Sequence, residues 1–446
     1  MAPLEPSGWL GRAALVWLAL APWLAVSVTH SAAAERQAYT IAVHLSTNAP
    51  PETGPEEVET IREFITRRVE ILNAAGGIKG HPIQIAFYDD TSLVQKTIAN
   101  VEQTLADPRL IAILGVWSST RGAEVVDRIG RSRVPFVSEM SVETLFEAHP
   151  SIYTLTRSVA DEQEVFKAFA RDNFKRIAFV GRGDDLYTRA YHAHLTVAGD
   201  AGAPVTTSWI DREIAEDARA VDAAIAEIKR TEADLILLSL GSKRGASFLE
   251  RLTTLGIETP VFVALGSVNG LLAESGGKAY RGPIYEIAEG GIANLNNERL
   301  EQLMRRPDGL QARRKYSPYA IGYGARYADL IALFADAARA SAGDDPAAAR
   351  AAIASALSGL VEGRRVWRGW AQDWSFTRER ASSERSLLVW RPAGEPGSLL
   401  APIQYVRSGV EITRVPVLYI HLDMVRIHRV DSNEKSFEAE FFFTTR

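Results

Sequence analysis

The chain has 446 residues, with 50 Lys and Arg against 55 Asp and Glu, and the resulting net charge of −5 gives no indication of nucleic acid or of an anionic membrane surface as a partner. Apolar residues make up 46% and charged residues 24%, a globular composition that excludes disordered and fibrous architectures. The absence of cysteine excludes disulfides, thiolate nucleophiles and cysteine-ligated metals. At roughly 150 residues per domain, the length predicts two or three domains.

Residues 1–34 have the pattern of a secretory signal peptide. Arg12 precedes an uncharged run from Ala13 to Val28, and Ala32–Ala34 supplies the small residues of a cleavage site. The alternative is an uncleaved membrane anchor. The run has only 16 residues and contains Pro22, whereas a spanning helix needs about 20 residues. We therefore expect an exported, periplasmic chain.

Predicted strands and helices alternate from Tyr39 to Ala264. The first set has strands Tyr39–Leu45, Ile83–Tyr88, Leu110–Leu114 and Val134–Val137, and helices over Val58–Leu72, Ile98–Leu105 and Ala123–Ile129. The second set has strands Ile177–Val180, Val205–Trp209, Leu235–Leu240 and Val261–Ala264, and helices Gln163–Asn173, Arg189–Ala198, Ala218–Lys229 and Ala246–Leu255. This alternation is typical of parallel sheets with crossover helices, so the fold class is α/β with two doubly wound, Rossmann-like lobes.

The pattern changes after Gly282. Two Ala-rich helices are predicted, over Tyr316–Ala340 and from Pro346 to near Leu360. A β ribbon is then expected from Trp367–Phe376 and Leu387–Arg391. Glycine and proline within Ala393–Pro402 indicate a linker, assigned to residues 393–414. Residues 415–446 form a tail with two predicted strands, Pro416–Val430 and Phe437–Thr444.

Candidate binding residues follow the predicted strands at their carboxyl ends, where open parallel sheets bind ligands. In the first lobe they are Trp117, Ser118, Ser119 and Thr120 after one strand, and Met140 and Ser141 after the next. Small hydroxyls and free amides at a helix start suit a carboxylate. In the second lobe they are Tyr187, Ser242 and Ser267. Each also has a structural interpretation, as a helix cap, a core aromatic or a surface aromatic, but their shared sheet edge favours a binding site.

Catalytic sites are poorly supported. Gly181-Arg182-Gly183 lacks the third glycine of a dinucleotide fingerprint, and Lys243 is not in a Gly-Lys-Ser/Thr run. His192 and His194 lie two residues apart on a predicted helix and point in different directions, so they cannot share a metal. We therefore expect a protein that is not an enzyme and has neither a cofactor nor a metal.

A succession of short motifs resembles a known family, the type I periplasmic substrate-binding proteins of branched-chain amino acid (Leu/Ile/Val) ABC transporters. The motifs are Asn73–Gly80, Ile85 with Tyr88-Asp89-Asp90, Ile113–Gly115, Ser118–Thr120, Val134–Ser138 and Leu255-Gly256, within residues 39–392. The resemblance implies two lobes joined by three crossovers, with the ligand held between them. Lobe 1 would contain residues 35–157 and 284–362, and lobe 2 residues 158–283 and 363–392.

The resemblance also implies roles for individual residues. Ser119 and Ser141 would contact the carboxylate of a small ligand, Met140 would offer a backbone group, and Tyr187 would cover the ligand from lobe 2. Val142 replaces a hydroxyl of the family, and the family's aromatic near Gly241 and acid near Leu265 are absent. That acid pairs with the ligand's ammonium, so an amino-acid-like ligand, a simpler carboxylate and an aromatic acid all remain open. The candidate replacements for it are Glu286, Glu289 and Asp185.

The tail resembles a second family over about 32 residues, from Val415 to Arg446. Its residues Val415–Ile427 and Val430–Phe441 are similar to the first two strands of the extracellular domain of pentameric ligand-gated (Cys-loop type) channels. Two functions are therefore expected as alternatives. One is a solute-binding protein whose partner is a membrane permease. The other is the ligand-sensing ectodomain of a receptor, whose partner is a fused channel domain.

Overall fold

The computed structural model describes residues 36–47, 54–196, 204–210, 214–274, 280–289, 318–384, 386–393, 395, 398–408, 411–418, 420–431 and 436–445. The predicted signal peptide lies outside this part of the chain. Within the described residues, no helix combines the length and the apolar character that crossing a bilayer requires.

Lobe 1 is built on a five-stranded sheet in the order β2-β1-β3-β4-β5, whose neighbouring strands are all parallel. Its strands are β1 Tyr39–Leu45, β2 Ile83–Asp89, β3 Leu110–Gly115, β4 Phe136–Ser138 and β5 Ile152–Thr154. Every residue of β1 and β3 is buried. Helices on both faces of a parallel sheet require such continuously apolar strands.

Helices from two distant parts of the sequence cover this sheet. They are α1 Pro55–Ala74, α2 Val94–Leu105, α3 Ser119–Ala123, α4 Val126–Ser132, α10 Pro318–Arg339 and α11 Pro346–Gly359, with a short 3₁₀ turn at Glu143–Leu145. The apolar stripe of α1, which includes Ile61 and Ile65, packs in one core with Tyr327 and Ile331 of α10. Gly76 and Gly77 follow α1 with positive φ, as the predicted helix stop requires.

Lobe 2 is built on a seven-stranded sheet in the order β14-β13-β10-β9-β8-β6-β7. Its strands are β6 Ile177–Gly181, β7 Val205–Trp209, β8 Leu235–Ser239, β9 Val261–Leu265, β10 Ile284–Glu289, β13 Ser386–Arg391 and β14 Leu399–Leu400. The helices are α5 Val159–Asn173, α6 Leu186–Thr196, α7 Ile214–Thr231, α8 Ser242–Thr254 and α9 Val268–Glu274. The first five strands pair in parallel, and β13 pairs antiparallel with both β10 and β14.

The chain passes between the lobes three times, which confirms the predicted two-lobe fold. The first crossover joins β5 to α5, and the third runs from Phe376 in the core of lobe 1 to β13 in lobe 2. The second joins β10 to α10, and its residues 290–317 lie outside the described part. A bridge between Thr154 and Ala381 holds the first and third crossovers side by side.

Two expected boundaries are wrong. Residues 284–289 belong to lobe 2, because β10 pairs with β9 and β13. Trp374 and Phe376 belong to lobe 1, because both are buried in its core. The expected ribbon is also wrong: β11 Trp367–Arg368 pairs with β12 Asp373–Trp374, whereas the strand expected opposite it joins the lobe 2 sheet.

The expected linker is wrong as well, because Leu399–Leu400, Ile403–Ser408 and Glu411–Pro416 form strands. After β14, β15 Ile403–Ser408 pairs antiparallel with β16 Glu411–Pro416. The two tail strands are confirmed as an antiparallel hairpin of β17 Ile420–Asp431 and β18 Ser436–Thr445.

Candidate functional site

Ser119 joins the loops that follow β3 and β4. It is 5% exposed, and its Oγ accepts the backbone N–H groups of Ser141 at 3.1 Å and Val142 at 3.3 Å. A serine hydroxyl has two acceptor lone pairs and one proton to donate. Both lone pairs are used here, and the described residues assign no acceptor to the proton. The hydroxyl proton is thus the remaining hydrogen-bonding group of the Ser119 side chain.

Ser141 continues this arrangement toward the first crossover. Its Oγ lies 3.2 Å from Thr156 Oγ1, which lies 2.9 Å from Thr154 Oγ1 at the end of β5. Ser118 has a different role, because its side chain accepts the N–H of Arg121 and caps α3. Ser118 therefore caps a helix, whereas Ser119 and Ser141 belong to a set of hydrogen-bonded residues that continues to Thr156 and Thr154.

Thr120 connects the two lobes directly. Its Oγ1 accepts the backbone N–H of Leu186 at 2.8 Å and donates to Asp185 Oδ2 at 3.1 Å. Asp185 in turn accepts the N–H of Thr188 at 2.8 Å, which holds the first turn of α6. The edge of lobe 1 at Ser119 and Thr120 thus meets the edge of lobe 2 that leads into Tyr187.

Tyr187 is half-buried in lobe 2, next to this contact. Its hydroxyl donates to Glu162 Oε2 at 2.6 Å and lies 3.0 Å from the carbonyl of Ala264. Burial, together with the negative charge of Glu162, raises the pKa of Tyr187 well above its usual value. Arg157 of the first crossover lies 3.7 Å from Glu162 and is 2% exposed. Tyr187 is therefore fixed as a neutral hydrogen-bond donor at the base of the lobe contact.

The side chains of Met140 and Trp117 lie in the core of lobe 1. Met140 is fully buried against Gly122, and its backbone N–H donates to Ser138 Oγ at 3.3 Å. The Trp117 indole N–H donates to the Tyr327 hydroxyl at 2.6 Å. This contact agrees with the structural interpretation of Trp117 as a core aromatic.

Ser242 and Ser267 lie at the starts of α8 and α9, on the edge of lobe 2. Ser267 Oγ accepts the N–H of Gly270 at 3.0 Å and caps α9. Ser242 is 3% exposed. Glu286 accepts the N–H of Val268 at 2.6 Å, and burial raises its pKa from 4.5 to about 7. At neutral pH Glu286 is thus only partly ionised, whereas the side chain of Glu289 lies outside the described part.

Sequence reasoning missed the ion pair that organises the lobe 1 edge. Arg121 Nε donates to Asp90 Oδ2 at 3.0 Å, and the two side chains are 8% and 6% exposed. Arg121 also donates to Ser46 Oγ and to the carbonyl of Trp117. The loops after β1, β2 and β3 are thereby tied together. The signal that could have identified the pair is an acid directly after one strand, Asp90 after β2, and a base in the helix that follows the neighbouring part of the sheet, Arg121 in α3.

The histidines of α6 bind separately, as expected. His192 Nε2 lies 2.8 Å from Thr207 Oγ1, and His194 Nε2 lies 2.8 Å from Glu143 Oε1 of lobe 1. Among the described residues, no three His, Asp or Glu side chains are grouped as a metal site would need. His194 instead supplies a second polar contact between the lobes.

The fold, with the contact of Thr120 between the edges of its lobes, defines a class of two-lobe proteins. Comparison with protein families agrees with this class. A family model described as periplasmic binding protein matches residues 62–381, and the chain belongs to that family. A search of curated protein sequences finds no significant match.

Solved structures share the fold at low sequence identity. An ABC transporter substrate-binding protein from Desulfitobacterium hafniense in complex with Leu is 15% identical, with a TM-score of 0.62, over 81% of this chain and 100% of that one. A fatty acid ABC transporter substrate-binding protein from Thermomonospora curvata is 14% identical, with a TM-score of 0.65, over 84% and 93%. A type 1 periplasmic binding protein from Bordetella pertussis Tohama I is 20% identical, with a TM-score of 0.61, over 85% and 100%.

Proposed function

We propose that the chain is an exported, non-enzymatic solute-binding protein that closes its two lobes on a small carboxylate or amino-acid-like ligand for uptake through an ABC permease. The observation that carries the proposal is the contact of Thr120 of lobe 1, the residue after Ser119, with Asp185 and Leu186 of lobe 2. Loops on the facing edges of two hinged lobes are where such a ligand is enclosed. Export is supported by the signal-peptide pattern of residues 1–34 and by the family.

A carboxylate is the part of the ligand for which the site has matching chemistry. Ser119 has a proton to donate and no described acceptor for it, and a hydrogen bond to a charged oxygen is stronger than one to a neutral oxygen. Leucine and fatty acids, named with two of the similar structures, have a carboxylate and an aliphatic chain in common. The proposal therefore includes both classes and assigns the carboxylate to the edge of lobe 1.

Closure requires that the ligand contact lobe 2 as well. A ligand bound equally well to the open and closed states would not shift the equilibrium between them. Tyr187, held by Glu162, provides a fixed surface on lobe 2. Asp185 and Glu286 are the described acids of lobe 2 proposed to receive an ammonium group. Because the pKa of Glu286 is raised to about 7, its carboxyl group is only partly ionised at neutral pH. An ammonium ion beside it would favour the ionised carboxylate, which suits Glu286 to this role.

The test is isothermal titration with leucine, hexanoate and 3-methylbutylamine, which lacks the carboxylate. We expect heat with at least one of the two acids and none with the amine, and small-angle scattering should show closure with the same acid. Ser119→Ala should weaken binding about tenfold or more, because a hydrogen bond to a charged group contributes about 1.5–3 kcal/mol. Ser118→Ala, the adjacent serine that caps α3, is the matched control and should change affinity little. Thermal unfolding of both variants excludes misfolding, and binding of the amine alone would overturn the assignment.

A second candidate, the ectodomain of a pentameric ligand-gated receptor, is favoured by the register of β17 and β18. Apolar residues lie opposite apolar residues at Leu422 and Phe443, Met424 and Phe441, and Val430 and Phe437. Arginine lies opposite glutamate at Arg426 and Glu440, and at Arg429 and Glu438. A two-stranded hairpin is marginally stable alone and gains stability from further packing, as in a larger β domain. Codons for membrane-spanning helices after Arg446 in the gene would decide for this candidate, and a stop codon there would decide against it.

A further inference from the structure

Residues 399–417, here named the C-terminal brace, lie beyond the family match, which ends at residue 381. The brace nevertheless completes the lobe 2 sheet. Its first strand β14 pairs with β13 through Val389 and Leu400. Gln404, 5% exposed, accepts the N–H of Leu388 at 2.8 Å and donates to the carbonyl of the same residue at 2.8 Å. A side chain that replaces a strand neighbour in this way fixes the brace to β13.

The brace is also fixed to α5, the helix that begins directly after the first crossover. Tyr405 is 3% exposed, lies against Phe169, and has its hydroxyl 3.1 Å from Asn173 Nδ2. Arg407 lies 2.6 Å from Asp161 and 3.1 Å from Glu164. These contacts involve both the first and the last turns of α5. The brace therefore has to follow any rotation of α5.

A gap lies between the brace and the third crossover. It is a cavity of about 320 Å³, lined by Tyr405, Val406 and Arg407 of the brace and by Arg157, Asp161 and Val165 of the first crossover and α5. The rest of its lining lies between Phe376 and β13 and comprises Thr377, Glu379, Ser382, Ser383, Glu384 and Ser386. The crossover is the segment about which the lobes rotate. The brace is thus packed on lobe 2, with a cavity between it, the start of α5 and the third crossover.

The exit of the brace is also constrained. The N–H of Val417 donates to the carbonyl of Pro402 at 2.8 Å, which closes the β15–β16 hairpin at its open end. Two residues then separate Val417 from the start of β17 at Ile420. Extended chain spans at most about 3.3–3.6 Å per residue, so β17 starts within roughly 11 Å of Val417.

We propose that the C-terminal brace is a rigid output arm of lobe 2, which carries the β17–β18 hairpin with it when lobe 2 rotates against lobe 1. The rotation itself rests on the proposed function. Ligand closure is then transmitted along the same chain as a displacement of the hairpin relative to lobe 1.

The test uses spin-label distances, for which the chain is suited because it has no cysteine of its own. Three exposed positions are replaced in pairs: Gln95→Cys on α2 of lobe 1, Lys229→Cys on α7 of lobe 2, and Glu411→Cys on the brace. Leucine and hexanoate are the probes. We expect the 229–411 distance to stay constant and narrow, while the 95–411 and 95–229 distances change together. A 229–411 distance that changes as much as 95–229 overturns the brace and leaves the binding function standing.

Failure of the binding function has a different outcome. If neither probe changes the 95–229 distance, closure on these ligands is refuted. The brace is then judged by its attachment in the ligand-free protein, where a 229–411 distribution as broad as that of 95–229 overturns it. Arg407→Gln should broaden the 229–411 distribution without altering the heat of ligand binding. Arg378→Gln, an exposed arginine of the third crossover, is the matched control and should leave the distribution unchanged.

Discussion

The buried pair of Arg121 and Asp90 gives the sharpest test of how the lobe 1 edge is stabilised. Asp90 accepts hydrogen bonds from Arg121, from Thr97 Oγ1 at 2.7 Å and from the N–H of Ser92 at 2.9 Å. Asp90→Asn leaves the guanidinium buried without its counter-charge. Breaking a buried pair from one side costs about 3–5 kcal/mol, a large part of the roughly 5–15 kcal/mol by which a typical domain is stable.

The assay is urea unfolding followed by tryptophan fluorescence, to which Trp117 and Trp374 of lobe 1 contribute. With a slope of about 2 kcal/mol per molar urea, a loss of 3 kcal/mol lowers the midpoint by about 1.5 M. Asp89→Asn is the matched control, since Asp89 is less buried and accepts hydrogen bonds from Thr47 and Thr91. The control should cost about 1–2 kcal/mol.

A double-mutant cycle isolates the pair itself. Arg121→Met should also destabilise lobe 1, because it leaves the carboxylate of Asp90 buried without its cation. The combined Asp90→Asn and Arg121→Met variant should lose less than the sum of the single variants, by about 1–3 kcal/mol. Additive losses would refute the view that each charge is tolerated only because of the other.

The structure supports three further predictions. Gly115 has φ +100°, and a Cβ added there would lie 1.9 Å from the carbonyl oxygen of His44, so Gly115→Ala should destabilise lobe 1 strongly in urea unfolding. Gly322 lies inside α10 with no atom within 4 Å of an added Cβ, so Gly322→Ala should stabilise lobe 1 by up to about 1 kcal/mol in the same assay. Burial lowers the pKa of His44 from 6.5 to about 4. Because the unfolded chain binds the extra proton first, stability should fall as the pH decreases from 6.5 toward 4, by at most about 3.5 kcal/mol at about 1.4 kcal/mol per pH unit, and His44→Gln should reduce this dependence in urea unfolding at a series of pH values. Thr120→Val should weaken ligand binding about 2- to 10-fold in calorimetry by removing a hydrogen-bonding group worth about 0.5–1.5 kcal/mol between the closed lobes, and unchanged affinity would show that this contact does not favour closure.

Strands buried on both faces were the easiest part of the fold to predict. The bounds of β1 were predicted to the residue because its seven residues are too few for a helix and are rich in β-branched and aromatic types, which is typical of a strand buried by helices. The brace was missed for the opposite reason. Glycine and proline within Ala393–Pro402 indicate turns, and the pairing of β14 with β13 depends on contacts that the local sequence does not contain. Gln404 has no sequence signal, because a buried glutamine is identified only by the backbone it bonds.

The sequence predicted which loops form the site but not the contacts between the lobes. Topology alone indicates that Ser119 and Ser141 lie on one edge, and the structure joins them by a hydrogen bond. The contact of Thr120 with Asp185 needed the relative placement of two lobes, which no local pattern contains. Glu162 and Arg157 were missed because their importance comes from Tyr187, a residue distant in sequence. The roles of Ser119, Ser141 and Tyr187 in ligand binding stay a prediction.

The split construction of lobe 1 has a consequence for how the protein is made. Its core joins Ile61 and Ile65 of α1 to Tyr327 of α10 and Phe376, so the sheet formed by the first 154 residues lacks part of its cover until the ribosome has passed residue 376. Contacts this distant in sequence form late and slowly. An early translation product therefore exposes apolar surface while the rest of the chain is synthesised. That delay lengthens the time for which the new chain stays unfolded.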